Sequence, residues 1–335
     1  MGPEGRALLK QRRRIQQGAT TTLPRLWLLA GGLTLNLLAA AAMAEAEETR
    51  DFGVLVMAHG GDEGWNESVL KAATTFADDY PFEVAFGMAS AESLQAAIRE
   101  LEAEGVRRIG VIRLFVSGES WLERTRQILG LSPGAPVRED IVPSETHHGH
   151  HDLEATFWRI DTESSFALSE EGLSEAPEMS EILVDRARSL SVDPERESVL
   201  LLAHGPADDE ENQRWIENLE RLAAPLVQAF PFRAVEVHTL REDWEDKREI
   251  AESRIRAFVE RANGDQGRCL VIPFRVYGFG PYADVLGGLD YESDGRGLLP
   301  HLVVSEWMVQ QAEGLSQAEF ESTLGSGSVP PVSGR

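Results

Sequence analysis

The sequence predicts an α/β protein of two tandem halves, each a parallel sheet flanked by helices. Three observations carry this. First, "VLVMAHGGDEGWNESV" from Val54 and "VLLLAHGPADDEENQRW" from Val199 follow one pattern. Each runs from an apolar stretch through Ala-His-Gly into an acidic loop and then a helical pattern. Second, the parallel continues downstream. "YPFEVAFGM" near Tyr80 matches "FPFRAVEVHTL" near Phe230, and "EGVRRIGVIRLF" matches "GDQGRCLVIPF". The His-Gly pairs lie 145 residues apart, so this is a duplication at domain scale and not a short solenoid repeat. Third, short apolar runs alternate with helix-length segments. The order β-α-β-α-β implies a parallel sheet covered on both faces.

Taken in order, residues 53–57 read as a short buried strand. A helix over about 65–78 places Val69, Ala72, Ala73 and Phe76 on one face. A strand at 82–87, a helix at 91–104 and a strand at 108–115 follow, with Gly105 as the helix stop. From about 130 to 196 runs a connector. Ser132-Pro133-Gly134-Ala135-Pro136 breaks the helical pattern, "LEATFWRID" is the candidate extra strand, and "EMSEILVDRARSLS" reads as a helix. The second half has strands near 198–202, 233–238 and 268–274. The end, from about 315 through "GSGSVPPVSGR", reads as a disordered tail. The expected division is 1–44, 45–131, 132–196, 197–312 and 313–335.

Residues 1–44 read as an export signal. Arg12, Arg13 and Arg14 form a basic region. The 19-residue apolar run 26–44 ends in Ala42-Met43-Ala44, a small-x-small cleavage pattern. A cleaved signal implies an exported, periplasmic protein. The same run is just long enough to anchor the chain in a membrane if left uncleaved.

The first 44 residues hold six Lys and Arg against one acidic residue. The remainder carries 26 basic and 55 acidic residues and a formal charge of −29. Such a surface repels phosphate backbones and excludes nucleic acid as a partner class. It suits cations, or a generally acidic surface with no specific role. Cys269 is the single cysteine, so intrachain disulfides and Cys-based metal sites are excluded. Its setting, "RCLVIPF", reads as a buried strand.

Ligands in parallel α/β sheets bind at the carboxyl ends of the strands. His59 and His204 each follow the first strand of their half, and the Gly after each lets the backbone turn sharply. An imidazole there can ligate a divalent metal or move a proton, or it can simply hold the loop by hydrogen bonds. Asp62 and Glu63, and Asp208, Asp209, Glu210 and Glu211, either gather cations or favour helix N-termini. His147, His148, His150 and His151 lie in the connector, outside both repeats. They read as a solvated loop or as a loose metal-collecting one. No phosphate-binding glycine motif and no serine-nucleophile motif is present.

On these residues the chain resembles the class II tetrapyrrole chelatases, the sirohydrochlorin cobaltochelatase and ferrochelatase family. The matching segments are "LLLAHGPADDEEN", "ILVDRARSLS", "GLDYESDGRGLLPHLVVSEWM" and, in the first half, "AHG" with "EGVRRIGVIRLFVSG". The resemblance covers roughly residues 52–312. It implies two tandem chelatase-like domains facing each other across a cleft. It also implies insertion of Co2+ or Fe2+, as substrate, into sirohydrochlorin or a related tetrapyrrole, with no organic cofactor. His59 and His204 match the family's first active-site histidine.

The chain departs from the family at the second histidine, which follows the third strand. Trp121 stands near that place in "RLFVSGESW", and Pro281 and Tyr282 in "PFRVYGFGPY". The family's acidic helper is not evident after the second strand, where Met88 and Thr239 lie. His238, one residue away, is the candidate substitute metal ligand. Trp121, Tyr277, Phe279 and Tyr282 either stack on a macrocycle or pack at the sheet edge. His301 reads as structural or cleft-lining. These departures keep a second reading open: a non-catalytic exported tetrapyrrole- or metal-binding protein on the same scaffold.

Overall fold

The computed structural model describes residues 51–138 and 155–324. The export segment, the histidines at 147–151 and the extreme C-terminus lie outside the described residues. The first half runs β1 (Phe52–Ala58), α1 (Glu63–Ala73), β2 (Phe82–Phe86), α2 (Ala91–Ala103), β3 (Arg108–Leu114) and α3 (Leu122–Ile128). β4 (Ser165–Leu168) and α4 (Met179–Leu190) follow in the connector. The second half runs β5 (Glu197–Ala203), α5 (Asp209–Ala229), β6 (Ala234–Thr239), α6 (Glu245–Ala262), β7 (Arg268–Phe274) and α7 (Tyr282–Val285). α8 (Leu302–Ser316) and β8 (Glu321–Ser322) close the chain.

Both sheets are parallel at their centres. The first has the order β2-β1-β3-β4-β8, and only β8 is antiparallel; the second has the order β6-β5-β7. β1 and β5 are central and buried along their whole length, which is why both read as apolar runs, in β5 from Val199 onward after Glu197 and Ser198. Pleat alternation divides each core. Leu200, Leu202, Cys269 and Val271 pack toward Ile255, Phe258 and Val259 of α6. Cys269 is buried as expected, and burial pushes its thiol up to about 12.

Three elements differ from the sequence expectation. The first helix stops at Ala73 and tightens into a 3-10 turn, Thr74–Phe76, which still buries Phe76. The extra strand is Ser165–Leu168, not "LEATFWRID". Among the described residues the latter contributes a bridge between Val137 and Arg159, while Phe166 and Ala167 supply the buried pair that β3 needs at its edge. The segment 313–324, expected in a disordered tail, is ordered. α8 runs to Ser316, and Glu321 pairs with Phe166 while its carboxylate takes Arg126 at 2.9 and 2.7 Å.

The helices are exchanged between halves. α4, from the connector, packs on α5 and β7 of the second half, whereas α8, from the C-terminal segment, packs on β3 and α1 of the first. Gly110 makes the second contact possible, since a Cβ there would lie 3.0 Å from both Leu315 and Phe52. Among the described residues, no helix is long and apolar enough to cross a membrane.

Candidate functional site

The register of the two sheets aligns the halves residue by residue. Ala58 pairs with Phe86 and Leu114, and Ala203 pairs with Thr239 and Phe274. The next backbone bond repeats as well: Gly87 N–H donates to Ala58 O and Leu240 N–H to Ala203 O, both at 2.9 Å. His59 and His204 therefore occupy one strand-end position in the two halves. Each is followed by a left-handed glycine, Gly60 at φ 82° and Gly205 at φ 79°. Each places Nδ1 on the carbonyl of that glycine, at 2.8 and 2.6 Å. A carbonyl only accepts, so Nδ1 carries the proton and Nε2 is the outward-facing nitrogen in both halves.

What surrounds Nε2 differs. In the second half, β6 leads into Leu240-Arg241-Glu242-Asp243, with Arg241 left-handed at φ 57° and its N–H bonded to His204 O at 2.6 Å. That turn carries the next two side chains back over the histidine. His204 Nε2 lies 3.1 Å from Glu242 Oε1 and 3.1 Å from Asp243 Oδ2. An imidazole lone pair facing two carboxylate oxygens calls for a proton or a metal ion on Nε2. The Trp244 ring meets His204 edge-on at 6.1 Å.

Glu242, only 12 % exposed, is gripped from the other side by Arg275, whose Nη1 lies 2.9 and 3.2 Å from its two oxygens. Burial works against the charge of Arg275. The Tyr282 hydroxyl and Glu242 more than offset it, leaving the guanidinium's pKa raised. The guanidinium carbon lies 5.5 Å from the centroid of the fully buried Tyr282 ring.

In the first half, the loop after β2 is Gly87-Met88-Ala89-Ser90, which contains no carboxylate. His59 is exposed, and half-buried Trp65 and Phe86, in edge contact at 6.2 Å, flank its loop. The two loop systems approach each other where a Cβ on Gly64 would sit 3.0 Å from the Tyr277 hydroxyl.

The other sequence candidates take structural places. His238 lies one residue before the strand end, so pleating turns it to the α6 face. There its Nε2 is 3.0 Å from Glu236 and its ring is 6.0 Å from Phe258. Asp62 caps α1 through Trp65 N–H and Asp208 caps α5 through Glu211 N–H, both at 2.8 Å. Lys247 and Arg241 hold the Asp209 carboxyl below its usual range. His301 caps α8 through Val303 N–H. Tyr282 is buried, and Phe279 packs between it and Tyr291. Trp121, left-handed at φ 60°, packs against the first core.

Glu242, Asp243 and Arg275 were not singled out in the sequence. The signal that points to them is "TLREDWED", an acidic pair just past a strand end, set against the uncharged "FGMAS" of the other half. Among the described residues, no group of three His, Cys, Asp or Glu side chains is arranged to hold a metal ion. At His204 a physical reason is visible, since both Glu242 oxygens face Arg275.

Two parallel-centred sheets flanked by helices, with a histidine at the end of each first strand, make this a chelatase-like α/β fold. Two solved structures of SirB bear out that architecture. SirB from Bacillus subtilis with Fe3+ matches at 13 % identity and a TM-score of 0.53, over 80 % of this chain and 96 % of that one. The sirohydrochlorin chelatase SirB from Bacillus subtilis subspecies spizizenii in complex with cobalt matches at 10 % identity and a TM-score of 0.51, over 79 % and 95 %. A Deinococcus radiodurans multi-domain protein with structural similarity to chelatases aligns at 18 % identity and a TM-score of 0.48. That alignment covers 81 % of this chain but only 57 % of that one. At these identities the likeness is one of fold. No protein-family model and no curated protein matches the sequence.

Proposed function

We propose that the protein inserts a divalent metal ion, Co2+ or Fe2+, into sirohydrochlorin or a related tetrapyrrole, with the metal as substrate and no organic cofactor. The observation that carries this reading is the convergence of Glu242 and Asp243 on His204 Nε2 at a strand end. Insertion requires the macrocycle to lose two N–H protons as the metal enters. An imidazole backed by carboxylates both contacts a cation and accepts a proton. In this reading His204 carries the proton and metal chemistry, and His59 offers a second, exposed imidazole. The apolar run at 26–44 supports an exported, periplasmic setting, or membrane attachment if the segment is retained.

The test supplies sirohydrochlorin with Co2+ or Fe2+ and follows the macrocycle's absorbance. The expected result is a rate above the spontaneous one that falls in His204→Ala. A rate no higher than the spontaneous one would sink the catalytic reading.

Arg275 favours a second reading, a non-catalytic tetrapyrrole or metal carrier, because it sets a cation against the site's best metal-seeking carboxylate. Stoichiometric binding of the tetrapyrrole or Co2+ without turnover distinguishes this reading. Absence of binding in calorimetry removes it.

A further inference from the structure

Arg275 follows Phe274, the β7 residue paired with Ala203, and its counterpart in the first half is Phe115, which follows Leu114. The first half thus has an apolar side chain, buried in its core, where the second has a guanidinium. The charged residue occurs only in the half whose loop after the second strand carries carboxylates.

Its seat is specific. A Cβ on Gly280, itself left-handed at φ 63°, would lie 2.6 Å from the guanidinium carbon, so glycine there leaves room for Arg275. Tyr282 lies beside it, and the Arg275 carbonyl accepts Leu298 N–H at 2.7 Å. From this seat Nη1 reaches both oxygens of Glu242, and Glu242 in turn meets His204. A divalent ion binding at His204 Nε2 must share Glu242 with a fixed positive charge.

We propose that Arg275 is a positioning residue that orients Glu242 on His204 and competes with divalent metal for that carboxylate, so that the protein holds the free ion weakly and releases it readily. The proposal rests on the reading of His204 as the metal contact. A chelatase that bound its metal substrate tightly would raise the barrier to handing it on, since only interactions stronger in the transition state accelerate the step.

The experiment measures Co2+ binding by isothermal calorimetry for the full chain and for Arg275→Gln, Arg275→Lys, Glu242→Gln and the double variant Glu242→Gln/Arg275→Gln. Arg275→Gln is expected to bind Co2+ about tenfold more tightly, the effect of removing one nearby positive charge. Arg275→Lys, which keeps the charge, is expected to stay near wild type. The gain should vanish in the Glu242→Gln background. A side chain with only a structural role gives the opposite sign, weaker binding on removal. Unchanged or weaker affinity in Arg275→Gln, or no binding by any of the proteins, overturns the proposal. Should Arg275→Gln lose its folded circular-dichroism spectrum, the comparison moves to Arg275→Met. Because binding is read apart from insertion, metal insertion by the wild type together with unaltered Arg275→Gln affinity rejects this role alone. Tighter binding without insertion rejects the catalytic reading alone.

Discussion

Phe115 and Arg275 hold one position in two copies of the same fold, each directly after the third-strand residue paired with the alanine of Ala-His-Gly. One is buried in a hydrophobic core and the other grips a carboxylate. Duplication has kept the strand-end histidine in both halves. Carboxylates converge on only one of them, His204.

That asymmetry predicts unequal histidines. His204→Ala should lower metal insertion about 100-fold or more, the usual scale for losing a positioned proton acceptor. His59→Ala, which removes an exposed ring bonded to its neighbour's carbonyl, should stay within about threefold of wild type on the same scale. Steady-state insertion rates at saturating metal check this. Equal losses in the two variants would contradict the assignment.

The contact between halves predicts a pH-dependent stability difference. Arg214 of α5 reaches Glu119, in the loop after β3, with bonds of 2.7 and 2.6 Å. The Arg214 hydrogen bond holds the Glu119 carboxyl below its ordinary value of 4.5. A depressed folded-state value stabilises at pH above 4.5, and the contribution is lost as pH falls through the depressed value. Both side chains are about half exposed, so the effect is small and weakened by salt. Thermal melts should show Arg214→Ala slightly below wild type at neutral pH and level with it in strong acid. A gap that persists in acid would rule out this ion pair as its source.

The elements legible in the sequence were those set by local periodicity. β1 and β5, central and covered on both faces, show as apolar runs, and pleat alternation explains why His238, one residue from the strand end, faces α6. Glu242 was not legible, because it stands three residues past β6 and is returned to His204 by the left-handed turn at Arg241. No period encodes such a turn. The placement of α8 on the first half was hidden for a related reason. Its apolar face specifies burial but not which of two similar sheets buries it.

The turn that presents His204 depends on Gly205. At φ 79°, an added Cβ would also lie 2.6 Å from Thr239 Cβ and 2.9 Å from Asn212 Oδ1. Those two residues are themselves joined by a 2.7 Å hydrogen bond. Gly205→Ala is expected to cost about 1–3 kcal/mol of stability through backbone strain. It should cost more than Gly60→Ala, where the nearest atom is Phe86 Cβ at 3.1 Å. Urea denaturation of both variants tests the order. A smaller loss in Gly205→Ala would show that this turn relaxes freely.

The exchanged helix makes the stability of the first half depend on the end of the chain. Trp307 of α8 is fully buried, and its Nε1 donates to Glu171 Oε2 at 3.0 Å, where Gln311 also donates at 2.9 Å. Trp307→Ala removes a large side chain from the contact of α8 with β3 and α1, and it leaves Glu171 with one donor fewer. The expected loss is about 3–5 kcal/mol, the range for aromatic-to-alanine changes in a packed core. Trp307→Phe keeps most of the volume and loses one charge-assisted hydrogen bond, while Gln311 still donates to the same oxygen, so it should cost about 1–3 kcal/mol from that lost bond and a smaller cavity. Urea midpoints at constant m-value measure both. If the two variants unfold alike, the indole's contribution lies in its hydrogen bond rather than in its volume. If neither shifts the midpoint, α8 is not part of the cooperative fold of the first half.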